Sequence, residues 1–233
     1  MRDLRVPVAL ALLITTIHAQ ADDMTMPDMA QREMFSTLSF ERLEKRSDGA
    51  YWEGQGWLGS DLDKLWLKTE GERDHDRLRA ANLELLYSRA IAPYWDAQIG
   101  ARHDFGADGR NWLAVALKGT APYGFDVDAS AYVGNGAAAR IRVENALLLT
   151  QRLALLPELE ANFYSRSDPA YATGAGLSSL DFSLRLRYEI RREFAPYIGI
   201  VWSNRYGSTA AFMRDRNESA DTVSVMAGAR LWW

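Results

Sequence analysis

The residues Thr222-Val223-Ser224-Val225-Met226-Ala227-Gly228-Ala229-Arg230-Leu231-Trp232-Trp233 decide the fold. Every odd position from Val223 to Trp233 is apolar, while the even positions are mostly polar or small. Successive side chains of a strand point to opposite faces, so this segment is a strand with one apolar face. A soluble sandwich strand alternates too. A long regular run that finishes on an aromatic is instead the pattern of a last barrel strand whose outer face meets lipid.

The alternation recurs upstream. Trp95, Ala97, Ile99 and Ala101 oppose Asp96, Gln98, Gly100 and Arg102; Leu180, Phe182, Leu184 and Leu186 oppose Asp181, Ser183, Arg185 and Arg187. Lipid cannot satisfy an open sheet edge, so such strands must close on themselves. The expected fold is therefore all-β: an antiparallel transmembrane β-barrel of about twelve strands, with ten as the alternative count. The strands are expected near 35–44, 51–58, 63–72, 78–88, 94–104, 112–119, 123–133, 139–149, 153–165, 177–190, 194–206 and 221–233. Short connections such as Ala92-Pro93 and Thr120-Ala121-Pro122 alternate with mostly longer ones such as Phe105–Asn111, Ser167–Gly176 and Gly207–Ala220. Trp52, Trp57, Trp66, Tyr94, Trp95, Trp112, Tyr123, Trp202, Trp232 and Trp233 are expected to form aromatic girdles at the headgroup level.

Three domains are expected. Residues 1–21 read as a cleaved signal peptide: Arg2 and Arg5, an apolar Val6–Ile17, then Ala19-Gln20-Ala21. Residues 22–34 form a short methionine-rich tail, and residues 35–233 the barrel. The apolar leader segment is too brief to span a membrane, and no long apolar run follows it. With a net charge of -4, nothing suggests a nucleic-acid partner. The chain lacks cysteine, which removes disulfides and thiolate metal sites. The expected location is the outer membrane, with its lipid as the surrounding partner.

Chemistry gathers in the tail. Met24, Met26, Met29 and Met34 lie close together beside Asp22, Asp23 and Asp28. Thioether sulfur is a soft donor suited to Cu(I), and carboxylates suit harder ions. A polar tail that merely contains methionines is the plainer alternative. Both termini of an even-stranded barrel face the periplasm, which would place this tail there. His75 and His103, near Asp74, Asp76 and Asp104 at external strand ends, offer imidazole for Cu(II) at the rim, or are simply solvated. Met226 is a further thioether on the inward face, as ligand or as filler. The inward rows carry many charges of both signs, among them Lys68, Glu70, Glu84, Arg102, Arg142, Glu144, Glu158, Glu160, Arg185 and Arg187. Paired, they brace or plug the barrel; left free, the acidic ones would attract cations. An enzyme is not expected: no serine-hydrolase, phosphate-loop or dinucleotide motif is present.

Several stretches resemble the copper resistance protein B family. They include Gly56-Trp57-Leu58-Gly59-Ser60-Asp61, Lys64-Leu65-Trp66-Leu67-Lys68-Thr69-Glu70-Gly71-Glu72 and Leu85-Leu86-Tyr87-Ser88-Arg89. Further on come Ala121-Pro122-Tyr123, Leu149-Thr150-Gln151-Arg152-Leu153 and Arg192-Glu193-Phe194-Ala195-Pro196-Tyr197-Ile198-Gly199. The resemblance implies an outer-membrane barrel that works with a periplasmic copper-binding protein in copper tolerance. Members often carry a longer Met- and His-rich N-terminal region, of which only the methionine cluster is present here. A generic small-solute channel is the alternative function.

Overall fold

The computed structural model describes residues 34–47, 49–74, 77–106 and 109–233. The expected signal peptide, the tail up to Glu33, and His75 therefore lie outside the described residues. Strands β1 (Phe35–Arg46), β2 (Gly49–Gly59), β3 (Asp63–Asp74), β4 (Arg77–Ala92), β5 (Trp95–Phe105) and β6 (Arg110–Ala121) follow one another as hairpins. They continue into β7 (Phe125–Gly134), β8 (Gly136–Asn145), a two-residue β9 (Leu147–Leu148) and β10 (Leu153–Tyr164). The last are β11 (Gly176–Tyr188), β12 (Phe194–Arg205) and β13 (Asp221–Trp232), with α1 (Gly207–Asp215) between β12 and β13. Every pairing is antiparallel, and β13 returns to pair with β1, so the sheet has no open edge. Twelve strands make the wall, as the alternation implies. β9 only continues the line of β8 past Ala146, pairing with β10.

The outer face carries the apolar row of each strand. Leu65, Leu67, Leu83, Leu85, Ile99, Leu113, Val115, Ile198, Val223 and Val225 are all exposed there. In water such a surface would be an aggregation hazard; against acyl chains it is the required solvent face. Among the described residues no helix is long and apolar enough to cross a membrane. One contact on this face fixes a glycine: a Cβ at Gly71 would stand 2.1 Å from the Trp52 ring, which lies across its backbone.

At one end of the barrel, where β1 begins and β13 finishes, all the connections are short. Two are Ala-Pro-Tyr turns in which Tyr94 and Tyr123 take positive φ (67° and 66°). Proline fixes the preceding backbone, and the left-handed tyrosine completes the reversal. The turn throws both rings outward, 81% and 95% exposed, as a headgroup girdle requires. The girdle expectation fails for Trp57, Trp66 and Trp112. These rings point into the barrel, where Trp66, Leu86, Trp112, Ala114 and Tyr132 form an apolar cluster with Trp57 packed against it. They occupy inward positions of β2, β3 and β6, and tryptophan alone does not say which face it serves.

The opposite end carries the two long connections. Residues 165–175 join β10 to β11 there, with Tyr171, Ala172 and Thr173 lining the interior, and the segment expected as a loop at Gly207–Ala220 contains α1. The Thr209 hydroxyl accepts from the Gly174 N–H at 2.7 Å and lies 2.8 Å from Ser178 Oγ, so the helix is held onto β11 and the neighbouring loop. The β7–β8 connection at this end is as tight as the turns, so the short–long rhythm is weaker than the sequence implies. With the termini periplasmic, epitope tags at Asn217 or Asp108 should be accessible on intact cells, and tags at Pro122 or Gln151 should not. Surface labelling that reversed this pattern would invert the orientation.

Candidate functional site

The barrel interior is polar and ionic. Side chains from opposite walls meet across it. On β2 and β3, Glu53 and Glu70 are register partners, and both face inward. On β8, Arg140 and Arg142 face them. Arg142 Nη1 lies 2.7 Å from Glu53 Oε1, and Arg140 Nη1 lies 2.7 Å from Glu70 Oε2. β2 and β8 are six strands apart in either direction round the twelve-strand wall, so the Arg142–Glu53 pair spans the diameter. Arg142 also reaches Glu160 at 2.7 Å, and Tyr51 donates to Glu70 at 2.6 Å.

A second group joins from β1. Arg42 sits 3.3 Å from Glu53 and pairs closely with Glu158 of β10. Beside it Glu44, on the lumen side of the same strand, takes Arg185 at 3.0 Å, Arg46 at 2.7 Å and the Tyr197 hydroxyl at 3.2 Å. These side chains are largely excluded from solvent, so an unpaired charge among them would be costly and each has a partner. Guanidinium groups suit the task because one planar fork can bind two or three carboxylates.

Two chambers lie along the interior and meet at this band. The one towards the long loops has a volume of about 450 Å³, and the one towards the turns about 370 Å³. Arg42, Glu70, Asn82, Arg140 and Glu158 line both, so the chambers abut at the ionic band. The turn-end chamber also holds Lys68, paired with Asp128 at 3.4 Å, and Lys118, which lies over the Trp66 ring at 4.7 Å. Of the inward charges expected from sequence, most are in ion pairs, the bracing reading.

The expected metal ligands are scattered. Met24, Met26, Met29, Asp28 and His75 fall outside the described residues. Met34 stands at the head of β1, 63% exposed, at the turn end. Met226 faces inward and is 1% exposed, packed against Gly199 of β12. His103 faces outward near the loop end, its Nδ1 2.7 Å from Asn111 Oδ1 and its ring edge-on to Phe105. The adjacent Asp104 points the other way, to Arg102, Arg110 and Trp112. Neighbouring strand residues take opposite faces, so Asp104 cannot join His103 at one ion. Among the described residues, no group of three or more histidines and carboxylates is arranged to hold a metal. Met213 on α1 lines the loop-end chamber, a thioether that a loop reading of the segment passes over.

A family model described as copper resistance protein B precursor matches residues 34–233, the whole barrel. The chain belongs to the copper resistance protein B family. Copper resistance protein B of Escherichia coli is 44% identical over 203 residues, covering 86% of this chain and 68% of that protein. The homolog from Pseudomonas syringae pv. tomato is 42% identical over 186 residues, covering 78% of this chain and 63% of its own length. The chain thus spans about two thirds of these relatives. Among solved structures, the NanC porin superposes with a TM-score of 0.53 at 12% identity, covering 83% of this chain and 98% of that one. The KdgM porin in complex with disordered oligogalacturonate gives 0.50 at 11%, covering 84% and 98%. At such identities the likeness is one of fold alone. This copper resistance protein B family member is an outer-membrane β-barrel in contact with lipid.

Proposed function

We propose that this protein serves copper resistance at the outer membrane by capturing periplasmic copper on its methionine tail and sequestering it or passing it outward. The family match over residues 34–233 carries the reading. The spacing of Met24, Met26 and Met29 supports the capture step: gaps of two and three residues keep three sulfurs close enough in sequence to serve one ion. Met34 extends the series to the head of β1, and Asp28 adds cation attraction. A periplasmic copper-binding protein is the natural donor to such a tail. His75, His103 and Met226 are secondary ligands in this reading, His103 with carboxylates other than Asp104. A generic small-solute channel is the alternative reading, and side chains that meet across the diameter weigh against free passage.

The test replaces Met24, Met26 and Met29 together with leucine, which keeps bulk and removes sulfur. Cu(I) affinity of the purified protein should fall by about tenfold or more, with Zn(II) binding unmoved, since zinc has little preference for thioethers. Copper tolerance of cells should fall in parallel at equal barrel abundance. Unchanged affinity and tolerance would make the tail a linker.

A further inference from the structure

We propose that the ionic band is a gate: ions pass between the two chambers only when Arg140 and Arg142 of β8 release Glu70 and Glu53 of the facing wall. A porin lumen is open because its side chains stop short of one another; here guanidinium and carboxylate groups from walls six strands apart are in direct contact at 2.7 Å. Arg140–Glu70 lies beside it at the same distance, five strands apart by the shorter way. Arg42 closes the flank between Glu53 and Glu158.

The chambers on either side are large enough for an ion with several waters, a water occupying about 30 Å³ of liquid volume. Ions can therefore wait on both sides of the band. What separates the chambers is side chain alone. The wall's backbone hydrogen bonds do not depend on these bridges, so the band can part without unfolding the barrel.

Chemistry distinguishes a gate from a brace. A permanent plug is built as well or better from apolar side chains, because burying ion pairs costs desolvation that their attraction only partly returns. The barrel has such a plug material at hand in the Trp66–Trp112–Tyr132 cluster, yet the band between the chambers is charged. Glu53 and Glu70 are both shared: Glu53 between Arg142 and Arg42 (2.7 and 3.3 Å), Glu70 between Arg140 and Arg142 (2.7 and 3.6 Å). Shared partners let one bridge slip while the other holds, so the band has intermediate arrangements to move through.

Gating of this kind needs no copper, and potassium chloride alone reads it out. Full-length protein and two variants are reconstituted in planar bilayers of phosphatidylcholine, with folding checked by heat-modified electrophoretic mobility. The wild-type barrel should be closed for most of the record. E53Q/E70Q keeps side-chain shape and removes the charge from one wall, and should raise the open fraction by about tenfold or more. R140A/R142A removes the crossing side chains and should give a steady pore. A wild-type barrel that conducts continuously overturns the gate. So do folded variants that conduct no more than wild type. If R140A/R142A opens while E53Q/E70Q stays shut, bulk rather than charge closes the lumen, and the ionic gate is again overturned. Should R140A/R142A fail to fold, the isosteric E53Q/E70Q pair decides.

Discussion

Deleting Trp233 is expected to remove most of the assembled barrel from the outer membrane. Trp233 supplies the last rungs of the seam: its N–H donates to Leu38 O at 2.8 Å, and its carbonyl accepts from the Leu38 N–H at 3.1 Å. The seam joins β13 to β1, the one pairing that closes the sheet. Loss of Trp233 leaves the Leu38 N–H and carbonyl unpaired where the seam passes from the headgroups towards hydrocarbon, which offers them no hydrogen bond. The deletion also removes the exposed Trp233 ring, whose amphipathic indole suits the headgroup level. Trp233→Phe keeps ring and backbone and should assemble near the wild-type level. Membrane fractions with undiminished folded protein after the deletion would remove Trp233 from any role in assembly.

The second large effect concerns Leu85, midway along β4 and exposed on the outer face between Leu67 and Ala101. Leu85→Arg should destabilise the barrel by about 2–4 kcal/mol, the cost of a cation near the bilayer midplane. The neighbouring inward position offers the contrast. Glu84, bonded to Arg102 at 3.1 Å and to the Tyr132 hydroxyl at 3.0 Å, lies among charged and aromatic groups of the lumen. Reversible urea unfolding in phospholipid vesicles would measure the change. A Leu85→Arg barrel as stable as wild type would mean that this face does not meet lipid.

Much of the fold is legible because lipid imposes a strict code. Wherever an outward row is continuous, as at Leu180, Phe182, Leu184 and Leu186, the strand bounds fall within a few residues of those observed. The central ionic band is less legible. Its β1 members, Arg42 and Glu44, follow a bulge between Phe40 and Arg42 that shifts the register with β2, so simple alternation misplaces them. Glu53 hides for another reason: the outward row of β2 is Trp52, Gly54, Gly56 and Leu58, and two glycines erase the apolar stripe. Helix α1 has no side-chain cap at Tyr206 and little apolar patterning; tertiary bonds from Thr209 hold it, and these leave no local trace. The thioethers illustrate the converse, since Met226 is placed correctly on the inward face by alternation alone.

The diametric bridges also bear on how the barrel reaches one closure and no other. Glu53 and Arg142 are 89 positions apart, and they meet only when the sheet from β2 to β8 has curled through half the barrel. A slip of one residue between β7 and β8 would turn Arg140 and Arg142 out towards acyl chains and leave Glu53 and Glu70 facing an empty wall. The penalty for mispairing is therefore felt far from the mispaired strands, at the centre of the lumen. The arginines of β8 thus report on alignment, since their bridges form only with the strands from β2 to β8 in register.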